Sequence, residues 1–221
     1  MKIRPEVLPF FGITVLAGVV ALLLKAPLPV LAIIASAAAF VLYFFRDPER
    51  YPPQEWDAIV SGADGRVMSV TALAENEHLN TACVRISVFL NLHNVHVNRA
   101  PLSGQATFIG YYPGKALFAF REKSSELNQH NKILIEGAYT RCLVVQLVGS
   151  LVRRVVYWLD THNAQAVNAG DRIGMMKFGS RMDVYLPEAE VKVLVKPGDK
   201  VRAGETVIAR VRDVQRNGSV L

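Results

Sequence analysis

The stretch Ala169-Gly-Asp-Arg-Ile-Gly-Met-Met-Lys-Phe-Gly-Ser-Arg-Met-Asp-Val-Tyr-Leu-Pro187 sets a Gly-Ser pair, residues 179 and 180, between two strand-like segments. Two readings are open on these letters alone. A Gly-Ser pair is an ordinary turn signal. It is also a place where a serine hydroxyl has a carbonyl directly ahead of it. Glycine there removes the side chain that would crowd an attack and tolerates strained backbone. Attack by Ser180 on the Gly179 carbonyl replaces the peptide bond with an ester. β-Elimination then splits the chain and leaves dehydroalanine, which hydrolyses to a pyruvoyl group. A serine hydrolase sets its nucleophile on a Gly-x-Ser-x-Gly elbow between strand and helix. No glycine follows Ser180 or Arg181 here.

Outward from this pair the chain reads as strands. Ala82–Leu90, Gln105–Tyr112, Lys132–Glu136, Arg141–Leu147 and Val152–Trp158 precede it; Asp183–Leu186, Glu190–Val195 and Thr206–Val211 follow. Gly, Pro, Asn or Asp bound these runs, and no long stretch of 3.6-residue period separates them. The fold class expected is mostly β, a single β-rich domain over residues 46–221 with a short helix near Arg121–Gln129. Val195–Ile208 resembles the hairpin tail of biotinyl and lipoyl carrier domains. Those carry a modified lysine at an upstream hairpin tip, where this chain has Gly179-Ser180, and Lys177 is outside a Met-Lys-Met setting. A membrane-anchored carrier or interaction module, never cut, is therefore the alternative reading.

The first 45 residues differ in kind. From Val7 to Phe45 the only charge is Lys25. Val7–Leu24 and Leu28–Phe45, 18 residues each, flank the linker Lys25-Ala-Pro27. As helices they run to roughly 27 Å, just short of the ~30 Å hydrocarbon core. The expectation is a helical membrane hairpin over residues 1–45, spanning the bilayer or dipping into it. A signal peptide cut near Ala35-Ser36-Ala37 is the competing reading, but apolar character continues to Phe45. Lys2 and Arg4 at one end and Arg46 and Arg50 at the other, against Lys25 in the turn, place both ends on the cytoplasmic face.

Beyond residue 45 there are 22 Lys/Arg against 18 Asp/Glu, a modest excess that suits an anionic membrane surface. The basic residues are scattered and no recognition motif accompanies them, so nucleic acid is excluded as a partner. Cys83 and Cys142 lie in apolar strand-like runs without metal-ligand spacing and read as buried thiols; no metal is expected.

Three segments carry candidate chemistry. Ser61-Gly-Ala-Asp64-Gly-Arg-Val67 is a turn with an acid before glycine. Leu92-His93-Asn-Val-His96-Val-Asn-Arg99-Ala-Pro101 holds two histidines. On a regular strand His96 and Asn98 share one face, while His93 points to the other and makes a poor metal partner. The third is Gly179-Ser180. An Asp, a His and a Ser in separate motifs permit a relay in which Asp64 orients His96 and His96 deprotonates Ser180. His130 reads as a surface residue, and His78 and His162, in polar loops, as bystanders.

Asp64-Gly-Arg-Val67, His96-Val-Asn-Arg-Ala-Pro101 and Phe178-Gly-Ser-Arg-Met-Asp-Val-Tyr-Leu-Pro187 together resemble the signatures of phosphatidylserine decarboxylase, in its short proteobacterial and archaeal-type branch. The resemblance runs from about Arg46 to Arg210, and the apolar hairpin also fits it. It implies a proenzyme that cuts itself between Gly179 and Ser180. Residues 1–179 become the large chain, and residues 180–221 a small chain, associated with it, that begins with a covalent pyruvoyl cofactor made from Ser180. Asp64 and His96 are implied as relay partners in self-processing. The implied reaction forms a Schiff base between the pyruvoyl carbonyl and the serine amine of phosphatidylserine. It releases CO2, the pyruvoyl group acting as electron sink, and yields phosphatidylethanolamine. His96 is the candidate proton donor for that step and His93 a further one. The implied location is the inner membrane, in contact with the lipid bilayer, with the catalytic domain on the cytoplasmic face.

Overall fold

The computed structural model describes residues 2–114, 128–148, 155–177 and 180–212. Its contacts divide the chain into two compact units: residues 1–49 with 93–95, and residues 50–92 with 96–221.

The first unit runs β1 (Lys2–Ile3), α1 (Leu8–Leu23), α2 (Leu28–Phe44) and β2 (Arg46–Asp47), with β1 and β2 paired antiparallel. Each helix has a proline in its first turn, where the missing N–H costs nothing and the fixed φ suits the helix. Lys25, at φ 54°, turns the chain between them. Leu8, Leu16, Leu23, Leu28 and Ile33 are all exposed. Helices apolar all round and exposed point to association with a membrane. Pro5–Leu23 is long and apolar enough to cross a membrane, by length and composition; Leu28–Phe44 is shorter. At the base of the hairpin Arg46 lies 3.7 Å from the Tyr43 ring centroid and donates from Nη2 to the His93 carbonyl at 2.7 Å.

In the second unit the strands are β3 (Ala58–Val60), β4 (Gly65–Glu75), β5 (Thr81–Leu90), β6 (Val97–Arg99), β7 (Gly104–Tyr112), β8 (His130–Glu136) and β9 (Arg141–Leu147). They continue as β10 (Val155–Tyr157), β11 (Gln165–Val167), β12 (Arg172–Met176), β13 (Ser180–Pro187), β14 (Val191–Val193), β15 (Lys200–Val201) and β16 (Val207–Val211). Every described pairing is antiparallel. Eight strands form one sheet in the order β11-β7-β8-β9-β13-β5-β4-β15, and two three-stranded sheets have the orders β10-β12-β6 and β14-β16-β3.

The centre of the large sheet is buried on both faces. Met182, Val184 and Leu186 of β13 join Val84, Ile86, Val88 and Leu90 of β5 and Cys142 and Val144 of β9 in the main core. Leu143, Val145 and Leu147 of β9 face the other way, into a smaller cluster with Leu79 and Cys83. That is the period-2 alternation of a strand with apolar partners on both sides.

Most strands expected from the sequence are present, β9 over Arg141–Leu147 as read. The helix expected near Arg121–Gln129 falls for residues 121–127 outside the described residues. His130 corrects the expectation of a surface residue: it is buried, starts β8 and pairs with Leu147. In the carrier-like tail, β14 and β16 pair with each other while the loop between them reaches β4 through β15.

Candidate active site

Ser180 opens β13, opposite Leu90 of β5. Its side chain is fully buried, and its Oγ has no hydrogen-bond partner among the described residues. Gly179 and Phe178 lie outside the described residues. Just upstream, the Met176 N–H donates to the His96 carbonyl at 3.1 Å. The ends of the segment 177–179 are thus held at His96 on one side and Leu90 on the other.

His96 is fully buried and immediately precedes β6. The sequence expectation of one strand through both histidines is corrected: residues 92–94 turn, and the strand begins only at Val97. His93 therefore sits on the exposed turn of the first unit, its carbonyl accepting from Arg46 and from the Tyr43 hydroxyl at 3.2 Å.

Asp64 is buried at the head of β4. Its Oδ1 accepts from the Ala203 N–H at 2.7 Å and its Oδ2 from Arg50 Nη2 at 2.8 Å. The other Arg50 arm, Nη1, reaches Glu205 Oε2 at 2.8 Å.

Gly62 is where the three motifs meet. Its carbonyl accepts from the Arg99 N–H at 2.8 Å. A Cβ there would lie 2.6 Å from Met182 Sδ and 3.0 Å from the Arg99 carbonyl oxygen. The Asp64 turn, the His96–Pro101 run and the Ser180 strand thus touch through one residue that has to be glycine.

Sequence reasoning missed several polar partners. Gln146 lies opposite Met182, on the main-core side, and its Nε2 donates to Asn98 Oδ1 of β6 at 2.8 Å. On the opposite face of β13, Arg181 Nη2 meets Asp183 Oδ2 at 2.8 Å, both side chains buried. The signal for Gln146 was a lone amide in the apolar run Leu143-Val-Val-Gln-Leu147. Arg50 sits in a Pro-rich linker and gave none. Neither of two open clefts, of about 440 and 500 Å3, is lined by Ser180, His96 or Asp64. The candidate site is part of the interior.

The profile of the family described as phosphatidylserine decarboxylase matches residues 37–209. The chain is similar to the phosphatidylserine decarboxylase proenzyme of Carboxydothermus hydrogenoformans, 43% identical over 173 residues, or 78% of this chain and 80% of that relative. The proenzyme of the same name from Syntrophus aciditrophicus is 40% identical over 208 residues, 92% of this chain and 95% of the relative. That of Symbiobacterium thermophilum is 41% identical over 204 residues, 92% and 93% of the two chains.

Proposed function

The chain belongs to the phosphatidylserine decarboxylase family, enzymes that convert phosphatidylserine to phosphatidylethanolamine and CO2, and we propose that it does so with a pyruvoyl group made from its own Ser180. One observation carries the reading. Ser180 Oγ is a buried hydroxyl with no partner among the described residues, four residues from a backbone bond to His96. An unmet buried polar atom costs about 1–3 kcal/mol, and such groups concentrate where chemistry needs them.

His96 takes the Ser180 proton as Oγ adds to the carbonyl ahead of it, and Asp64 orients and stabilises the resulting imidazolium. Arg50 and the Ala203 N–H hold the Asp64 carboxylate in place. A pyruvoyl group derived from Ser180 would supply the electron sink that decarboxylation of the substrate amine needs. His96, fully buried, returns the proton to the product carbon. His93, a further candidate for that proton, is exposed on the turn of residues 92–94.

The hairpin of α1 and α2 gives the enzyme access to a substrate that stays in the bilayer. Each lipid CH2 drawn into water costs about 0.8 kcal/mol, so headgroup chemistry belongs at the interface. Arg4, Lys2 and Arg46 at the open end of the hairpin orient it with the catalytic domain on the cytoplasmic face of the inner membrane.

The test is the covalent state of the purified protein. A denaturing gel should show two chains, the smaller holding the 42 residues from Ser180 to Leu221 with a blocked N-terminus that reacts with hydroxylamine. Ser180→Ala should stay intact and inactive. A wild-type chain that is uncut and fully active overturns the reading.

A further inference from the structure

The turn that carries Asp64 is shaped by a segment from beyond Ser180. At its start the Ser61 N–H donates to the Thr206 carbonyl at 2.8 Å, and the Ser61 carbonyl accepts from the Gly204 N–H at 2.8 Å. At its end the Val67 N–H donates to the Asp199 carbonyl at 2.9 Å, and the Val67 carbonyl accepts from the Gly198 N–H at 2.8 Å. Between them Gly65 and Arg66 pair with Val201 and Lys200 of β15. The Asp64 carboxylate is held from the same segment. Its Oδ1 takes the Ala203 N–H at 2.7 Å, and Arg50 bridges its Oδ2 to Glu205 Oε2.

The holding loop is itself closely determined. Thr206 Oγ1 accepts from the Arg202 N–H at 2.9 Å, and the Arg202 carbonyl accepts from the N–H groups of Glu205 and Thr206. Gly204 sits at φ 75°, and a Cβ there would lie 2.9 Å from Arg99 Cδ. This closed loop presents the Ala203 N–H and the Glu205 carboxylate together. The Arg50 and Asp64 side chains are only 9% and 11% exposed, so water is a poor substitute for a partner lost at either.

We infer that Arg50 and Glu205 are positioning residues for self-processing. They set the Asp64 carboxylate through the segment 198–206, so the cut ahead of Ser180 waits until the chain beyond Ser180 has folded onto the Asp64 turn. The inference rests on the self-cleavage reading above, in which Asp64 orients His96. The order matters because synthesis delivers Ser180 before residues 198–206. A cut at that stage would free a small chain not yet paired with the large one. Misplacing a reacting group by about 1 Å costs on the order of 100-fold in rate, so an acid left unset is enough to delay the cut.

The full chain is made by cell-free translation into lipid nanodiscs, with cutting followed in time on denaturing gels. Melts are taken on the same variants in the Ser180→Ala background, where the chain stays in one piece. Glu205→Leu removes the partner of Arg50 Nη1 and should cut about 100-fold more slowly. Glu205→Gln keeps an acceptor there and should recover most of the rate. Arg210→Met is the control for general loosening: it breaks the 2.7 Å bond from Arg210 to Asp57, which also fastens β16 but is no part of the hold on Asp64. It should cut at the wild-type rate. A folded Glu205→Leu chain that cuts at the wild-type rate overturns the inference. So does a Glu205→Gln chain no faster than Glu205→Leu, or an Arg210→Met chain just as slow. If Glu205→Leu does not fold, Arg50→Lys carries the test, because a single ammonium cannot hold both carboxylates as the fork does. Slow cutting in that folded chain supports the inference, and wild-type cutting overturns it. A wild-type chain that never cuts overturns the self-cleavage reading instead, so the two failures are distinct.

Discussion

Arg50 Nη2 lies 2.8 Å from Asp64 Oδ2, both side chains nearly closed to solvent, and the guanidinium's other arm holds Glu205 at the same distance. A residue of the Pro-rich linker thus fixes the acid at the head of β4 and ties it to the loop before β16. Removing one partner of a buried ion pair leaves an uncompensated charge. Arg50→Met should destabilise the protein by roughly 3 kcal/mol in urea melts and slow the cut ahead of Ser180. Arg50→Lys should recover little, because one ammonium cannot span both carboxylates as the fork does.

Gly62→Ala should destabilise by about 1–3 kcal/mol, because its methyl group would press on Met182 Sδ and the Arg99 carbonyl. The Met182 part of that cost is separable. In a double-mutant cycle on urea melts, Met182→Val should be less harmful in the Gly62→Ala background than in the wild type.

His130 ties stability to pH. Burial lowers its pKa, as does Lys132, against the opposing pull of the Asn128 carbonyl at 2.7 Å and of Glu77. The folded chain therefore binds fewer protons than the unfolded chain between the folded pKa and about 6.5, and stability rises with pH across that window. It is complete above about pH 6.5 and falls as the medium is acidified toward the folded value. The ring stacks on Tyr112 at 4.9 Å, so His130→Phe preserves the contact. Urea midpoints between pH 5 and 7.5 should vary less in that variant than in the wild type.

Cys83 and Cys142 should be inert in the folded protein. Burial pushes the Cys83 thiol up to about 11 and the Cys142 thiol higher still, so neither offers thiolate near neutrality. A thiol reagent at pH 8 should modify neither until denaturant is added, and then both, as read by intact mass.

The strands most legible in the sequence are long or densely apolar. β9 reads as an apolar run broken only by Gln146 because it lies between two cores, and the core-facing Val84, Ile86, Val88 and Leu90 make β5 readable despite Arg85 and Ser87 between them. β4 was missed although it has 11 residues: it opens on a glycine turn and its middle carries Ser69 and Thr71, only partly buried. The three-residue strands β3, β6 and β11 are too short for any period to register. His130 was misread because Gln129 and Asn131 beside it look like loop, whereas its burial comes from strands remote in sequence. At the site, Asp64, His96 and Ser180 were visible as motif residues. Arg50 and Gln146 were not, since their partners are 14 and 48 residues away and only the fold defines them.

β13 lies between β9 and β5 in the interior of the sheet, β15 pairs with β4, and β16 pairs with β3. Every one of those neighbours precedes Ser180 in the chain. A cut ahead of Ser180 divides the backbone without loosening the weave, and the two pieces can part only by unfolding. Folding before the cut is a search within one chain; afterwards it would be a meeting of two molecules, one of them a short fragment whose described internal pairing is that of β14 with β16. With the proposed cut, maturation would work as a ratchet. A working enzyme that is melted would have lost the covalent instructions that built it, and its lifetime would be set by how slowly it opens rather than by any equilibrium with the unfolded state.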